Sequence, residues 1–107
     1  MGNFSTVNAE ISITPIGTSE TSIGKEIAAA YNAIRNITKL KKVTLTPMST
    51  QIESDSLEDI FQAIYAAHNS VKSVGAKRLI STIRIDERLD KPNTLDDKVQ
   101  SIETKVT

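Results

Sequence analysis

The apolar residues of this chain change their spacing five times in a fixed order, and that order restricts the fold more than any single motif. Val7, Ala9, Ile11 and Ile13 alternate with Asn8, Glu10, Ser12 and Thr14, which predicts a half-buried strand over residues 7–13 that stops at Pro15-Ile16-Gly17. A hydroxyl-rich loop, Thr18 to Ser22, leads into helical spacing at Ile23, Ile27, Ala30, Ile34 and Ile37, with Ser22 as the expected N-cap. Gly24 weakens the first turn, and Arg35, Lys39, Lys41 and Lys42 suit the negative end of the helix dipole. Alternation returns at residues 43–46 and 50–53, around a tight Pro47-Met48-Ser49 hairpin. Asp55, Ser56, Glu58 and Asp59 form overlapping capping boxes before a second helix, whose predicted apolar stripe is Leu57, Ile60, Phe61, Ile64, His68 and Val71, with Gly75 as its stop. Residues 77–88 hold a fourth strand, with Leu79, Ile83 and Ile85 opposed to Thr82, Arg84 and Asp86. After Pro92, a Thr94-Leu95-Asp96-Asp97 capping box opens a short helix carrying Leu95, Val99 and Ile102. The order is β-α-β-β-α-β with an added C-terminal helix: an α+β, ferredoxin-like antiparallel sheet with helices on one face.

Composition narrows the chemistry. A chain of 107 residues with 38% hydrophobic residues suits one domain with one small core. Thirteen basic and 13 acidic side chains balance, so the basic excess of a general nucleic-acid binder is absent. With no cysteine, disulfides, thiolate metal sites and cysteine nucleophiles are excluded, and a single histidine leaves little for a triad or a multi-histidine metal centre. No run approaches the roughly 18 apolar residues of a membrane helix. Met1 to Asn8 is polar and lacks a signal pattern, so a cytoplasmic protein is expected.

The polar strand positions Glu10, Ser12, Thr14, Thr44, Thr46, Gln51, Glu53, Thr82 and Arg84 share the sheet face away from the helices. Such a face is either simply solvated or a ligand or subunit surface. It has no aromatics, so an RNA-binding sheet of the stacking kind is excluded. His68 reads as a histidine hydrogen-bonded to a neighbouring strand, with a general base as the rival. The Gly17 to Ser22 loop does not match a phosphate loop and reads as helix capping. The acids Glu53, Asp55, Glu58 and Asp59 lack calcium-loop spacing, so no metal is expected.

Several of these segments, in order, resemble the YkoF-like thiamine-binding small proteins. They are Ala9-Glu10-Ile11-Ser12-Ile13-Thr14-Pro15-Ile16-Gly17-Thr18, Leu45-Thr46-Pro47-Met48-Ser49-Thr50-Gln51-Ile52-Glu53, Ala66-Ala67-His68, Gly75-Ala76-Lys77-Arg78-Leu79 and Ile83-Arg84-Ile85-Asp86-Glu87-Arg88, with Asp90-Lys91-Pro92. The resemblance runs from about residue 7 to residue 104. Ser49 departs from it, since the family usually carries glycine after the methionine, and a tightened or shifted hairpin is expected. The resemblance implies a homodimer or homotetramer, no enzymatic activity, no cofactor, and a ligand that is thiamine or its hydroxymethylpyrimidine part, held for transport, buffering or sensing. A cationic aminopyrimidine wants carboxylate acceptors, offered by Glu10 and Glu53, short donors at Ser12, Thr46, Ser49 and Thr50, and an adaptable apolar wall at Met48. Thr50 and His68 could share an inner pocket. Three rival readings remain open at this point: a ferredoxin-like regulatory oligomer sensing another metabolite, an enzyme with His68 as base, and a purely structural oligomer with no ligand.

Overall fold

The computed structural model describes residues 6–106, so the first part of the polar N-terminal stretch lies outside the described residues. The elements run β1 (Thr6–Pro15), α1 (Gly24–Arg35), β2 (Lys42–Leu45), β3 (Thr50–Ser54), α2 (Leu57–Ser73), β4 (Leu79–Arg88) and α3 (Leu95–Glu103). All neighbours pair antiparallel in the order β2-β3-β1-β4, the expected ferredoxin-like arrangement. The central strand β1 exceeds its expected length and runs through Pro15, whose missing N–H costs no ladder bond because odd residues of β1 face away from β4.

Val7, Ala9, Ile11 and Ile13 of β1 and Ile52 of β3 meet Ala30 and Ile34 of α1 and Ile60, Ala63, Ala67 and Val71 of α2 in one core. The stripe on α2 differs from the expected one. Phe61 points outward and is 46% exposed, whereas Ala63 and Ala67 are fully buried. Small side chains on the inner face let α2 lie close to the sheet, and an aromatic ring there would hold it off. Ile27 of α1 is likewise 42% exposed. A hydrogen bond from Ser70 Oγ to the Ala29 carbonyl (2.9 Å) joins the two helices.

The ends of the helices follow their local chemistry with one exception. Ser56 caps α2 by accepting from Glu58 N–H (3.2 Å). Gly75, at φ +105°, ends it in the left-handed conformation, with Gly75 N–H on the Lys72 carbonyl and Ala76 N–H on the Val71 carbonyl. Thr94 and Asp97 close the capping box of α3. Ser22, however, is not the N-cap of α1. That position is Ile23, and Ser22 Oγ accepts only a long bond from Gly24 N–H (3.4 Å). The basic segment after α1 also serves other partners, since Lys41 pairs with Asp55 and Lys42 with Asp96. Helix α1 ends at Arg35, and Ile37 packs against the core from the loop beyond it.

The polar sheet face is not wholly open. The segment leading into α3 crosses it: Asn8 Nδ2 donates to the Asn93 carbonyl (2.8 Å), Asn93 N–H to Thr6 Oγ1 (3.2 Å) and Leu95 N–H to Glu53 Oε1 (2.8 Å). Lys98 reaches Asp86 on β4. Within α3 no residue is buried, and Val99 and Ile102 are exposed.

Two outcomes follow. Ala67→Leu forces extra volume under α2 and should cost about 1–3 kcal/mol in urea unfolding, while Phe61→Ala costs less than Ala67→Leu. The Asp97 carboxyl is held below its ordinary value of 3.8, first by the Thr94 backbone N–H. Its contribution is therefore complete above that value and is lost as the pH falls through the lowered one. Protection of the α3 amides, measured as exchange relative to the intrinsic rate at each pH, should fall over that acidic range in the native protein and show no such step in Asp97→Asn.

Candidate functional site

Strand β1 pairs with β4 along ten positions but with β3 only from Val7 to Ile11. Beyond Ile11 the β2–β3 hairpin turns away, closed by Thr46 N–H on the Ser49 carbonyl (2.9 Å), and the edge of β1 is left without a strand beside it. The gap is a cleft of about 240 Å³ between this edge, the outer side of α1 and the hairpin tip. Ile11, Ile13, Ala30 and Ile34 make its apolar floor. Ile23, Ile27, Leu45 and Met48 wall it, the last 84% exposed at the mouth. Ser12, Thr14, Thr46, Ser49 and Thr50 supply the hydroxyls.

The hairpin tip is tied to the sheet by side chains. Ser49 N–H donates to Thr46 Oγ1 (3.1 Å), Thr46 Oγ1 lies 2.9 Å from the Ser49 carbonyl, and Ser49 Oγ donates to Glu10 Oε2 (3.1 Å). On its other side Glu10 Oε1 pairs with Arg84 Nη1 at 3.4 Å. Arg84 is largely solvated, so this pair contributes little by itself and leaves the carboxylate a usable acceptor. Among the described residues only glycines have positive φ, so serine sits at position 49 without strain. Its hydroxyl anchors the tip to β1, a bond that glycine could not make.

The backbone contributes as well. Ile16 N–H donates to the Arg78 carbonyl (2.8 Å), which sets the alternation: even residues of β1 bond to β4, odd residues face the opposite side. Ile11 is the last odd residue with a β3 partner, Thr50. Ile13 therefore turns an N–H and a C=O, side by side, toward the cleft.

Of the eight residues expected at a ligand site, Ser12, Met48, Thr46, Ser49 and Thr50 line this cleft, and Glu10 joins it through Ser49. The other two lie elsewhere. Glu53 is buried beneath the start of α3, where its carboxylate caps Leu95 N–H. His68 faces β4 and meets Ser81 Oγ at 3.0 Å, so it bridges helix and strand as the sequence suggested and does not share a pocket with Thr50. No group of three or more His, Cys, Asp and Glu residues that could hold a metal occurs among the described residues. The walls from α1 and the Ile13 backbone were missed by sequence reasoning. Ile27 carried the available signal, a large apolar residue on a helix stripe that the core leaves uncovered.

A family model described as thiamine-binding protein matches residues 9–103, spanning all elements from β1 to α3. A UPF0045 protein of Methanothermobacter thermautotrophicus is 33% identical over 100 residues, covering 94% of this chain and 99% of its own. The UPF0045 protein YqgV of Bacillus subtilis is 36% identical over 96 residues, 88% of this chain and 91% of its own. The solved structure of a hypothetical protein from Methanocaldococcus jannaschii superposes with TM-score 0.82 at 35% identity, covering 92% of this chain and 96% of that one. The same fold, at 21% identity and TM-score 0.75, occurs in a Thermotoga maritima protein described as a candidate thiamine biosynthesis/salvage protein, with 91% and 98% covered. The chain belongs to the thiamine-binding protein family.

Proposed function

We propose that this protein binds thiamine, or its hydroxymethylpyrimidine part, in the cleft between β1, α1 and the β2–β3 hairpin, and that it acts by holding the ligand rather than by turning it over. The observation that carries the reading is the strand edge at Ile13, which offers a backbone donor and acceptor together above an apolar floor. An aminopyrimidine presents the complementary pair, an exocyclic amine beside a ring nitrogen. Glu10 and the hydroxyls of Ser12, Thr46 and Ser49 stand at the polar rim, where a carboxylate suits a cation. Met48 adapts to the ligand's outer face. Carriage, buffering or sensing all follow from such a site, and the family supports a small-molecule ligand.

The proposal includes self-association through β4. This strand is a ten-residue edge, and its odd residues, Leu79 to Glu87, turn their N–H and C=O groups outward. Antiparallel pairing of two copies about Ile85 sets Arg84 of each opposite Asp86 of the other, whereas shifting the two-fold by one residue opposes like charges.

Calorimetric titration with thiamine should give saturable binding. Glu10→Gln should weaken it by about tenfold, the scale of one charge-assisted hydrogen bond, and Glu53→Gln should lower stability with little change in affinity. Absence of heat with thiamine and with hydroxymethylpyrimidine would remove the reading. Light scattering should give at least a dimer; Arg84→Glu should shift it toward monomer, and the added Asp86→Arg should restore it.

A further inference from the structure

On the other side of the first turn of α1 lies a second cavity, of about 290 Å³, enclosed by the β1–α1 loop and the turn after α2. Glu26 lines it and is 8% exposed, yet its carboxylate makes no hydrogen bond or ion pair among the described residues. A carboxylate on a side chain this buried loses most of its hydration and calls for a partner. It occupies the helix position from which a glutamate commonly reaches back to the N-cap, but here that bond is absent. Neither carboxylate oxygen is a sealed, unpaired atom, so each still has access to solvent. The backbone N–H groups of Lys25 and Glu26 likewise have no acceptor, since Ser22 Oγ takes only Gly24 N–H and the first helical bond starts at Ile27. Lys25 and Lys77 stand at the rim, and the Ser19 and Thr18 hydroxyls line the loop side.

We infer that this cavity is a second ligand site, for an α-amino acid. Its ammonium pairs with the buried Glu26 carboxylate, and its carboxylate is received by the free N–H groups of the α1 N-terminus with Lys25 and Lys77. The mixed charge decides the class. A bare anion is opposed by Glu26 and by the exposed Glu20 at the loop side, and a bare cation by the two lysines and the positive helix end. Because the acceptor and the free donors belong to adjacent residues of one helical turn, the ligand's two charges must also lie close together. An α-amino acid has them one carbon apart. The site stands apart from the thiamine cleft, so either can fail without the other.

The test is an amide chemical-shift titration of the full chain with a panel of L-α-amino acids at millimolar concentration, with ethylamine and propionate as single-charge probes. At least one amino acid should shift Gly17, Ser19 and Gly75, and neither single-charge probe should. Glu26→Gln should abolish the shifts. Lys77→Gln, an exposed change that leaves the fold intact, should weaken binding severalfold. Thiamine should instead move Ser12, Thr46 and Ser49, and its affinity should be unchanged in Glu26→Gln. No response to any amino acid, a response to propionate alone, or undiminished binding in Glu26→Gln would each overturn the proposal.

Discussion

The mismatch in length between β1 and β3 shapes everything around the candidate site. Strand β1 spans ten residues, while β3 covers only five of them. A sheet with matched strands would have satisfied Ile13 within the ladder and closed the space now lined by Ile11, Ile27 and Met48. The gap is kept open by the hairpin tip, which Ser49 fastens to Glu10 at 3.1 Å. It is kept apolar by α1, whose exposed Ile27 faces it. An open strand edge thus arises from a neighbour that stops early.

Much of the fold was legible because it depends on local rules. Alternation in β1 and β4, the Ser56 and Thr94 caps and the Gly75 stop are decided by residues within a few positions of one another. What could not be read was the choice among apolar residues on α2. Phe61 and Ala67 both sit on a broad apolar stripe, and only the distance between helix and sheet decides that the alanine goes inside. Ser22 was misread for a related reason. It has the right chemistry, but α1 starts one residue later and leaves the cap to Ile23.

The candidate site was legible in part. The Thr46 to Thr50 segment and Ser12 carried visible signals of type and spacing, and they meet in one cleft. Glu53 carried the same signal as Glu10 and ended elsewhere. Both are glutamates on the polar sheet face, in neighbouring strands. The difference is made by α3, whose N-terminal N–H at Leu95 takes the Glu53 carboxylate at 2.8 Å. A contact across 42 residues has no signature in local pattern.

Helix α3 therefore acts on the site by subtraction. With the segment that leads into it, it occupies Glu53 and Asn8, and it pairs Lys42 and Lys98 with acids of its own and of β4, so one end of the polar face is already taken up within the fold. The acids left at the other end reduce to Glu10, whose partners Ser49 and Arg84 come from opposite sides and each take one carboxylate oxygen. A carboxylate held from two sides has little ordering entropy left to lose. The part-buried bond from Ser49 is the firmer of the two, and Arg84, directly across from Glu10 in the β1–β4 register, adds a solvated pair on the other side.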